Sequence, residues 1–257
     1  MLILLSPAKD LSTEAPPTTM GATQPLLLEH SPALVEKLRG LSVRKLGTLM
    51  DISPKLAQLN HDRYQAWSTP FTTRNALPAA FLFNGEAYRG LNARTLDADD
   101  LRFAQHHLRI LSGLYGVLRP MDLMQPYRLE MGTRLKVGRA KDLCAYWGDR
   151  ITEALRADIR KNASSAVVNV ASAEYFKAVQ ADRLGVPVIT PVFKDKVGAG
   201  HKMLMVYAKH QRGAMARHII QHRILEPAAL KKYAGDGYRF SATESTGTEW
   251  VFLRDRR

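Results

Sequence analysis

Two serines and a lysine follow short apolar segments, at positions where a predicted strand ends and a side chain could take part in catalysis or binding. Ser6 and Lys9 come directly after the apolar segment Leu2–Leu5, and Ser172 comes after the apolar segment 166–170. A serine hydroxyl beside a lysine amine can act as nucleophile and base, or the pair can bind an anion. A Ser-x-x-Lys spacing is too short to be specific, so a strand-end turn with a solvated lysine is the simpler interpretation.

The segment around Ser172, residues 169–177, also contains Glu174 and Tyr175. A strand that runs into the start of a helix leaves backbone N–H groups free to bind an anion. A serine at this point is more often a plain N-cap, and Glu174 disfavours a phosphate unless it acts as acid, base or metal ligand. The residues that an enzyme would bring together are Ser6, Lys9, Ser112, Tyr115, Ser172, Glu174 and Tyr175.

Two arginines lie in the apolar segment 108–132, which glycines and prolines interrupt. Arg119 and Arg128 need a carboxylate or a phosphate there, because an unpaired buried charge is costly. Glu130 is the alternative partner within the chain. The glycines of this segment permit close backbone approach to a ligand or a sharp bend, but their spacing is not that of a nucleotide-binding loop.

A third basic group lies on the helix that the pattern predicts near the end of the chain. No Asp or Glu occurs between His201 and Arg223, whereas Lys and Arg recur. At about 100° per residue, Lys209 and Arg212 share an arc with the apolar residues of this helix, which indicates the wall of a positive cleft. Snorkelling of long side chains is the alternative. We predict that the cleft is lined by Lys9, Arg119, Arg128, Lys209, Arg212 and Arg217.

Metal and redox chemistry has little support in the sequence. His218 and His222 are four residues apart, which is a ligand spacing, but no glutamate follows the first histidine as in zinc proteases. The one cysteine, Cys144, excludes an internal disulfide and a cysteine-built zinc or iron–sulfur site. We predict no metal site and no cofactor.

The elements that position these residues do not follow a strict strand–helix–strand rhythm. Short apolar runs predict strands and amphipathic stretches predict helices, without internal repeats or a clear linker. We therefore predict an α+β fold, a mixed sheet flanked by helices, in one domain spanning residues 1–257. Later parts of the chain are predicted as strands at 79–83, 186–193 and 203–207, helices at 142–160, 173–184 and 211–224, and a closing hairpin of 238–241 with 250–253.

The composition excludes several classes of protein. Of 257 residues, 46% are hydrophobic and 24% are charged, which is ordinary for a globular chain and excludes wholesale disorder. No apolar run approaches the ~18 residues of a membrane span, and Leu2–Leu5 is too short for a signal peptide, so we expect a cytoplasmic protein without membrane contact. The formal net charge of +13 is unusual and favours a polyanionic partner.

The basic excess is concentrated in two blocks of the chain. Residues 101–150 contain 9 basic and 4 acidic side chains, and residues 201–257 contain 11 and 5. A solvated basic face is the common interpretation of such runs. Because residues 201–223 contain no acidic side chain to offset the bases, we place the main anion-binding surface in these two blocks.

Several of these segments, taken together, resemble one bacterial family. Residues 2–9 (LILLSPAK), 108–132, 169–177 (NVASAEYFK), 191–195 (PVFKD) and 208–217 are similar to the YaaA family of peroxide stress resistance proteins, and the resemblance runs essentially end to end. It implies the single-domain cantaloupe fold and a cytoplasmic protein induced by hydrogen peroxide. It also implies a lowering of unincorporated iron that limits oxidative damage, a positively charged cleft, and DNA binding with a helix–hairpin–helix element. It implies no established reaction.

The helix–hairpin–helix implied by the resemblance would occupy residues 43–67. Two predicted helices, 43–50 and 55–67, are joined there by a tight link. The link lacks the glycines with which such hairpins usually bind a phosphate, and a plain αα-hairpin is the alternative. We expect an accessory DNA contact through Arg44 and Lys55.

The first hypothesis is therefore a DNA-binding protein of the peroxide stress response that limits free iron. We expect a monomer that binds double-stranded or structured DNA mainly through phosphates, with weak sequence specificity and a steep loss of affinity in salt. The alternative is an enzyme acting on a phosphorylated or nucleic-acid substrate in the same cleft. Direct iron binding is the third hypothesis, and the sequence offers no good ligand set for it.

Overall fold

A strand that is buried on both faces lies at the centre of the structure. The four residues Leu2–Leu5 are fully buried, as expected for the middle strand of a parallel sheet. The computed structural model describes residues 1–18 and 20–255. In this part of the chain the strands are β1 (Leu2–Leu5), β2 (Leu77–Pro78), β3 (Leu108–Ser112), β4 (Gly116–Leu118), β5 (Leu123–Met124), β6 (Val167–Val170), β7 (Val188–Val197), β8 (Gly200–Lys202), β9 (Arg239–Phe240) and β10 (Glu249–Arg254).

Eight of these described strands form one mixed sheet. Its order is β4-β3-β1-β6-β7-β10-β9, with β8 paired to β7. β1 is parallel to β3 and β6, and β7 is parallel to β6 and β10. β4, β8 and β9 are antiparallel to their neighbours, and β2 and β5 form a separate antiparallel pair. The mixed sheet and the closing hairpin, β9 with β10, are confirmed.

Helices flank this sheet, which confirms the predicted mixed α/β class. α10 packs against β1, β6 and β7, α6 and α9 pack against β3, and α8 packs against β4. The helices of the described chain are α1 (Ser31–Arg39), α2 (Val43–Met50), α3 (Pro54–Ala66), α4 (Ala79–Leu82), α5 (Glu86–Leu91), α6 (Ala98–His107), α7 (Leu143–Trp147), α8 (Arg150–Lys161), α9 (Ala173–Phe176) and α10 (Met205–Gln221).

Side-chain caps fix two helix starts where the sequence predicts them. Ser53 Oγ accepts a hydrogen bond from the Leu56 N–H at the start of α3, over 3.4 Å. Asp97 Oδ1 accepts one from the Asp100 N–H at the start of α6, over 2.7 Å. Each cap satisfies a backbone donor that has no partner within its own helix, which favours the helix start at that residue.

A buried ion pair ties the sheet to α8. Arg109 Nε of β3 lies 2.6 Å from Asp158 Oδ2 of α8, and the two side chains are 2% and 13% exposed. Arg109 Nη1 also donates to the carbonyl oxygens of Gln105 and Leu108, over 3.0 and 2.7 Å. These partners compensate for the lost solvation of the guanidinium, which a buried charge requires.

Two glycines let α5 and α10 touch backbone to backbone. A Cβ atom at Gly213 of α10 would overlap the Ala87 carbonyl oxygen, and one at Gly90 of α5 would overlap the His210 carbonyl oxygen. No side chain fits between these two helices at their crossing. The contact fixes the position of α10, which carries the basic segment of the sequence.

Two predicted elements are wrong in the first two-thirds of the chain. Residues 79–82 of the predicted strand 79–83 form helix α4, because the Ala79 and Ala80 N–H groups bind the carbonyl oxygens of Asp122 and Pro120. A short apolar run does not distinguish a helix from a strand. The single helix predicted at 142–160 is divided into α7 and α8 at Gly148, whose φ of 49° ends the first helix.

Three further predictions differ from the structure. The helix predicted at 173–184 ends after α9, and the Gln180 N–H binds the Thr152 hydroxyl of α8 over 3.1 Å. Residues 203–207 are not a strand, since β8 ends at Lys202 and α10 begins at Met205. The helical periodicity that puts Lys209 and Arg212 on the apolar arc predicts Gln211 on the opposite face, but Gln211 is buried and accepts a hydrogen bond from the Tyr233 hydroxyl.

Candidate functional site

The order of the strands creates a crevice beside β1. From β1 the chain continues to β3 on one side, whereas β6 and then β7 lie on the other side. The segments that follow β1 and β6 therefore diverge at the carboxyl ends of these strands, which is where open parallel sheets bind ligands. The Ser172 N–H donates to Ser6 Oγ over 2.8 Å, and the Ser6 hydroxyl donates to Ser172 Oγ over 3.3 Å.

Lys9, three residues after Ser6, shares one carboxylate with Arg128. Lys9 Nζ lies 2.8 Å from Glu130 Oε2, and Arg128 Nη2 lies 3.1 Å from Glu130 Oε1. Arg128 Nε is buried and has no hydrogen-bond partner in the described chain. Glu130 is therefore the internal partner of Arg128 that the sequence offered as the alternative, and it also pairs with Lys9, whereas Arg119 pairs with Asp122.

Glu174 and Tyr175 hold the segment that carries Glu130. The Gly132 N–H donates to Glu174 Oε1 over 2.9 Å. The Tyr175 hydroxyl bonds to the Met131 backbone, and burial raises the pKa of this phenol above its usual range, so it stays protonated. Within the described residues, neither side chain forms an ion pair with a Lys or Arg.

Ser112 and Tyr115 lie below the same segment and are fully buried. Ser112 Oγ is 2.6 Å from the Tyr127 hydroxyl, and it accepts the Tyr115 N–H over 2.9 Å. A Cβ atom at Gly113 would overlap the Leu129 carbonyl oxygen, so this glycine lets the chain cross over itself. The close backbone approach that Gly113 permits is therefore an approach to the chain around Leu129.

The seven candidate catalytic residues therefore separate into three layers. Ser6 and Ser172 meet at the strand ends. Lys9, Glu174 and Tyr175 contact the segment 130–132. Ser112 and Tyr115 form a buried support beneath it, without access for a substrate.

Arg119 and Arg217 donate to groups within the fold. Arg119 Nε and Nη2 lie 3.0 and 2.8 Å from Asp122 Oδ1, and Nη2 also donates to the Gln24 carbonyl over 2.8 Å. Arg217 Nη1 donates to the carbonyls of Leu91 and Asn92, over 3.0 and 2.8 Å. Their contact with a phosphate stays a prediction.

Lys209 and Arg212 have no carboxylate partner in the described chain. Lys209 is exposed, whereas Arg212 is half-buried on the side of α10 that also carries Ala208, Met215 and Ala216. Burial lowers the pKa of the Arg212 guanidinium. Of the six predicted cleft cations, these two are free to meet an anion without losing an internal partner.

A second basic surface lies between α2 and residues 134–136, which come a few residues after Glu130 in the chain. We name it the basic groove; it encloses about 740 Å³. No Asp or Glu lines it in the described chain, and none of its five cations forms an ion pair there. Its lining residues are Lys37, Leu41, Ser42, Arg44, Lys45, Thr48, Leu49, Arg134, Leu135 and Lys136.

The hairpin of α2 and α3 forms one wall of the basic groove. Arg44 and Lys45 of α2 are exposed on this wall. α3 packs closely behind α2, since a Cβ atom at Gly47 would lie 3.4 Å from Ala57 Cβ. Lys55 at the start of α3 is exposed but does not line the groove.

The amino-acid sequence of the chain matches a family of known proteins. A family model described as the peroxide stress protein YaaA matches residues 1–244. The chain belongs to the YaaA family. A relative in this comparison, a UPF0246 protein of Cupriavidus pinatubonensis, is 52% identical over 257 residues, which cover 99% of this chain and 98% of its own. UPF0246 proteins of Ralstonia nicotianae and Burkholderia vietnamiensis are 52% and 50% identical, over 99% of this chain and 99% and 98% of their own.

Four of the five groove cations of this YaaA family member were not predicted as contacts from the sequence. Lys37, Lys45, Arg134 and Lys136 were not among the predicted contacts, whereas Arg44 was. The signal was present in residues 133–141 (TRLKVGRAK), where four bases occur without an acid. All four, Arg134, Lys136, Arg139 and Lys141, are exposed.

Two kinds of feature are absent from the described residues of this YaaA family member. No group of three His, Cys, Asp or Glu side chains within 1–18 and 20–255 is arranged to hold a metal ion. Across the same residues, none of the helices has both the length and the apolar character that a membrane span requires.

Proposed function

We propose that this member of the YaaA family binds duplex or structured DNA through the basic groove. The observation that supports the proposal is the set of five exposed or groove-lining cations with no acidic side chain among them. A cation without an internal partner can neutralise a phosphate without first breaking an ion pair. The net charge of +13 adds long-range attraction to a polyanion.

Phosphates, and not bases, are the groups that this groove fits. Its polar lining consists of Lys, Arg, Ser and Thr, which commonly contact the DNA backbone. None of its ten lining residues is aromatic, so the groove offers no stacking platform for single strands. We therefore propose weakly sequence-specific binding.

The predicted cations outside the groove take secondary roles in this proposal. Lys209 and Arg212 extend the contact, because no carboxylate of the described chain holds them. Lys9 and Arg128 would first have to leave Glu130. Lys55 supplies the accessory contact of the α2–α3 hairpin, which we propose as the helix–hairpin–helix element.

The family description supports a role under peroxide stress. We propose that the protein acts in the cytoplasm, limits unincorporated iron, and protects DNA and proteins from oxidative damage. The iron-limiting part of this proposal is supported by the family resemblance alone. DNA binding and iron limitation are therefore separable parts of the proposed function.

We expect the affinity for duplex DNA to fall steeply as salt rises. If all five groove cations meet phosphates, the slope of log K against log [salt] is about −4 to −5. Fluorescence anisotropy with labelled duplexes of unrelated sequence, at several NaCl concentrations, measures the slope and the specificity. Absence of binding at low salt, or a slope near zero, contradicts the proposal.

A further inference from the structure

We propose that the crevice at the carboxyl ends of β1 and β6 binds a phosphoryl group, at a site separate from the basic groove. Ser6 and Ser172 meet at the strand ends. The residues that follow them lead to the charged cluster, because Pro7–Lys9 and Tyr175 line the same small space as Arg128 and Glu130. The inference goes beyond DNA binding by the groove and does not depend on it.

The position in the sheet is the first argument. β1 and β6 are adjacent parallel strands, and the chain leaves them toward opposite sides. This divergence opens a space outside the strand ends, where polar groups from two loops face one ligand. Leu5 and Val170 are register partners, so Ser6 and Ser172 leave the sheet at nearly the same level.

The hydrogen-bond balance of the two serines is the second argument. Ser6 Oγ accepts the Ser172 N–H and donates its own proton to Ser172 Oγ. Ser172 caps no backbone N–H of α9, and its hydroxyl proton has no acceptor in the described chain. One hydroxyl donor is thus left for a ligand at the mouth of the crevice.

The charge balance is the third argument. Glu130 is the one carboxylate that pairs with Lys9 and Arg128 in the described chain, so two cations share a single acidic partner. Arg128 Nε is a further buried donor without a partner there. A phosphoryl dianion satisfies two cations and several donors at once, which a single carboxylate does not.

Glu130 occupies the place that the ligand would take. The space among residues 7–9, 127–130 and Tyr175 is only about 10 Å³. Glu130 lies in a segment without regular secondary structure, and its side chain is 25% exposed. In our proposal the phosphoryl group displaces this carboxylate and takes over both cations.

The test uses the full-length chain and titration calorimetry with inorganic phosphate, AMP and adenosine. We expect phosphate and AMP to bind and adenosine not to bind. Glu130→Gln removes the competing carboxylate and should tighten phosphate binding about 10-fold or more, because hydrogen bonds to charged groups are strong. Ser172→Ala should weaken it about 5-fold, the effect of one hydrogen bond. Lys9→Met, at a side chain that is 59% exposed, should weaken it without unfolding the protein.

Glu249→Gln is the matched control. It removes the same charge from an exposed residue at the amino end of β10, which is the edge of the sheet opposite the crevice. Absence of phosphate and AMP binding at millimolar concentrations overturns the proposal. So does a Glu130→Gln variant that binds no tighter than Glu249→Gln. Duplexes with a 5′-phosphate or a 5′-hydroxyl then distinguish the source of the group; preference for the 5′-phosphate over AMP identifies a DNA end, and the reverse identifies a small phosphorylated molecule.

Discussion

Reversing the charge of Arg44 and Lys136 together is expected to weaken duplex DNA binding about 10- to 100-fold at moderate salt. The two residues lie on opposite walls of the basic groove, one on α2 and one on the segment after the crevice. Arg44→Glu with Lys136→Glu removes two phosphate contacts and adds two repulsive charges. The salt slope should become less steep by about 2. Both side chains are exposed, so the fold should be retained.

The control is Arg160→Glu with Lys161→Glu, at the exposed C-terminal end of α8. It changes the net charge by the same amount but lies outside the groove lining. If this pair weakens binding as much as the groove pair, net charge alone determines affinity and the groove is not the interface. Lys209→Glu then shows whether the contact extends to α10, as the sequence predicts.

Adding one methyl group at Gly213 is expected to cost at least about 3 kcal/mol of folding free energy, because overpacking at backbone contact is severe. A Cβ atom there would overlap the Ala87 carbonyl oxygen of α5, and backbone cannot rotate away as a side chain does. α10 would have to move away from α5. Urea unfolding followed by circular dichroism measures the loss, and failure to fold agrees with the prediction.

Gly247→Ala is the matched control for this substitution. A Cβ atom at Gly247 meets no atom within 4 Å. Its backbone is not in the left-handed region, so the same chemical change should leave the urea midpoint nearly unaltered. Equal midpoints for Gly213→Ala and Gly247→Ala would show that α5 and α10 do not touch as described.

Much of the fold could be predicted from local patterns. Apolar β1, the capped starts of α3 and α6, and the closing hairpin each follow from signals within a few residues. The wrong predictions lie where contacts with residues distant in the sequence determine the local structure. Residues 79–82 form a helix because carbonyls near residue 120 bind its first N–H groups, and α9 ends before its periodicity does.

The candidate site was predicted only in part, for the same reason. The sequence identified Lys9, Arg128 and Glu130 as charged residues, and only the fold shows that one carboxylate joins both cations. Arg119 and Arg217 looked free because their carbonyl and carboxylate partners could not be located from the sequence. The groove brings residues 37–49 to residues 134–136, and no local pattern predicts that distance.

The basic groove also has a consequence for the protein without a ligand. Five like charges around one groove repel one another, and no acidic side chain lining it relieves that repulsion. The free protein is therefore less stable than it would be with a mixed-charge groove, and most so in dilute buffer, where ions screen least. The same repulsion favours binding, because a bound polyanion neutralises the cations on both walls of the groove and so restores the stability that the free protein loses.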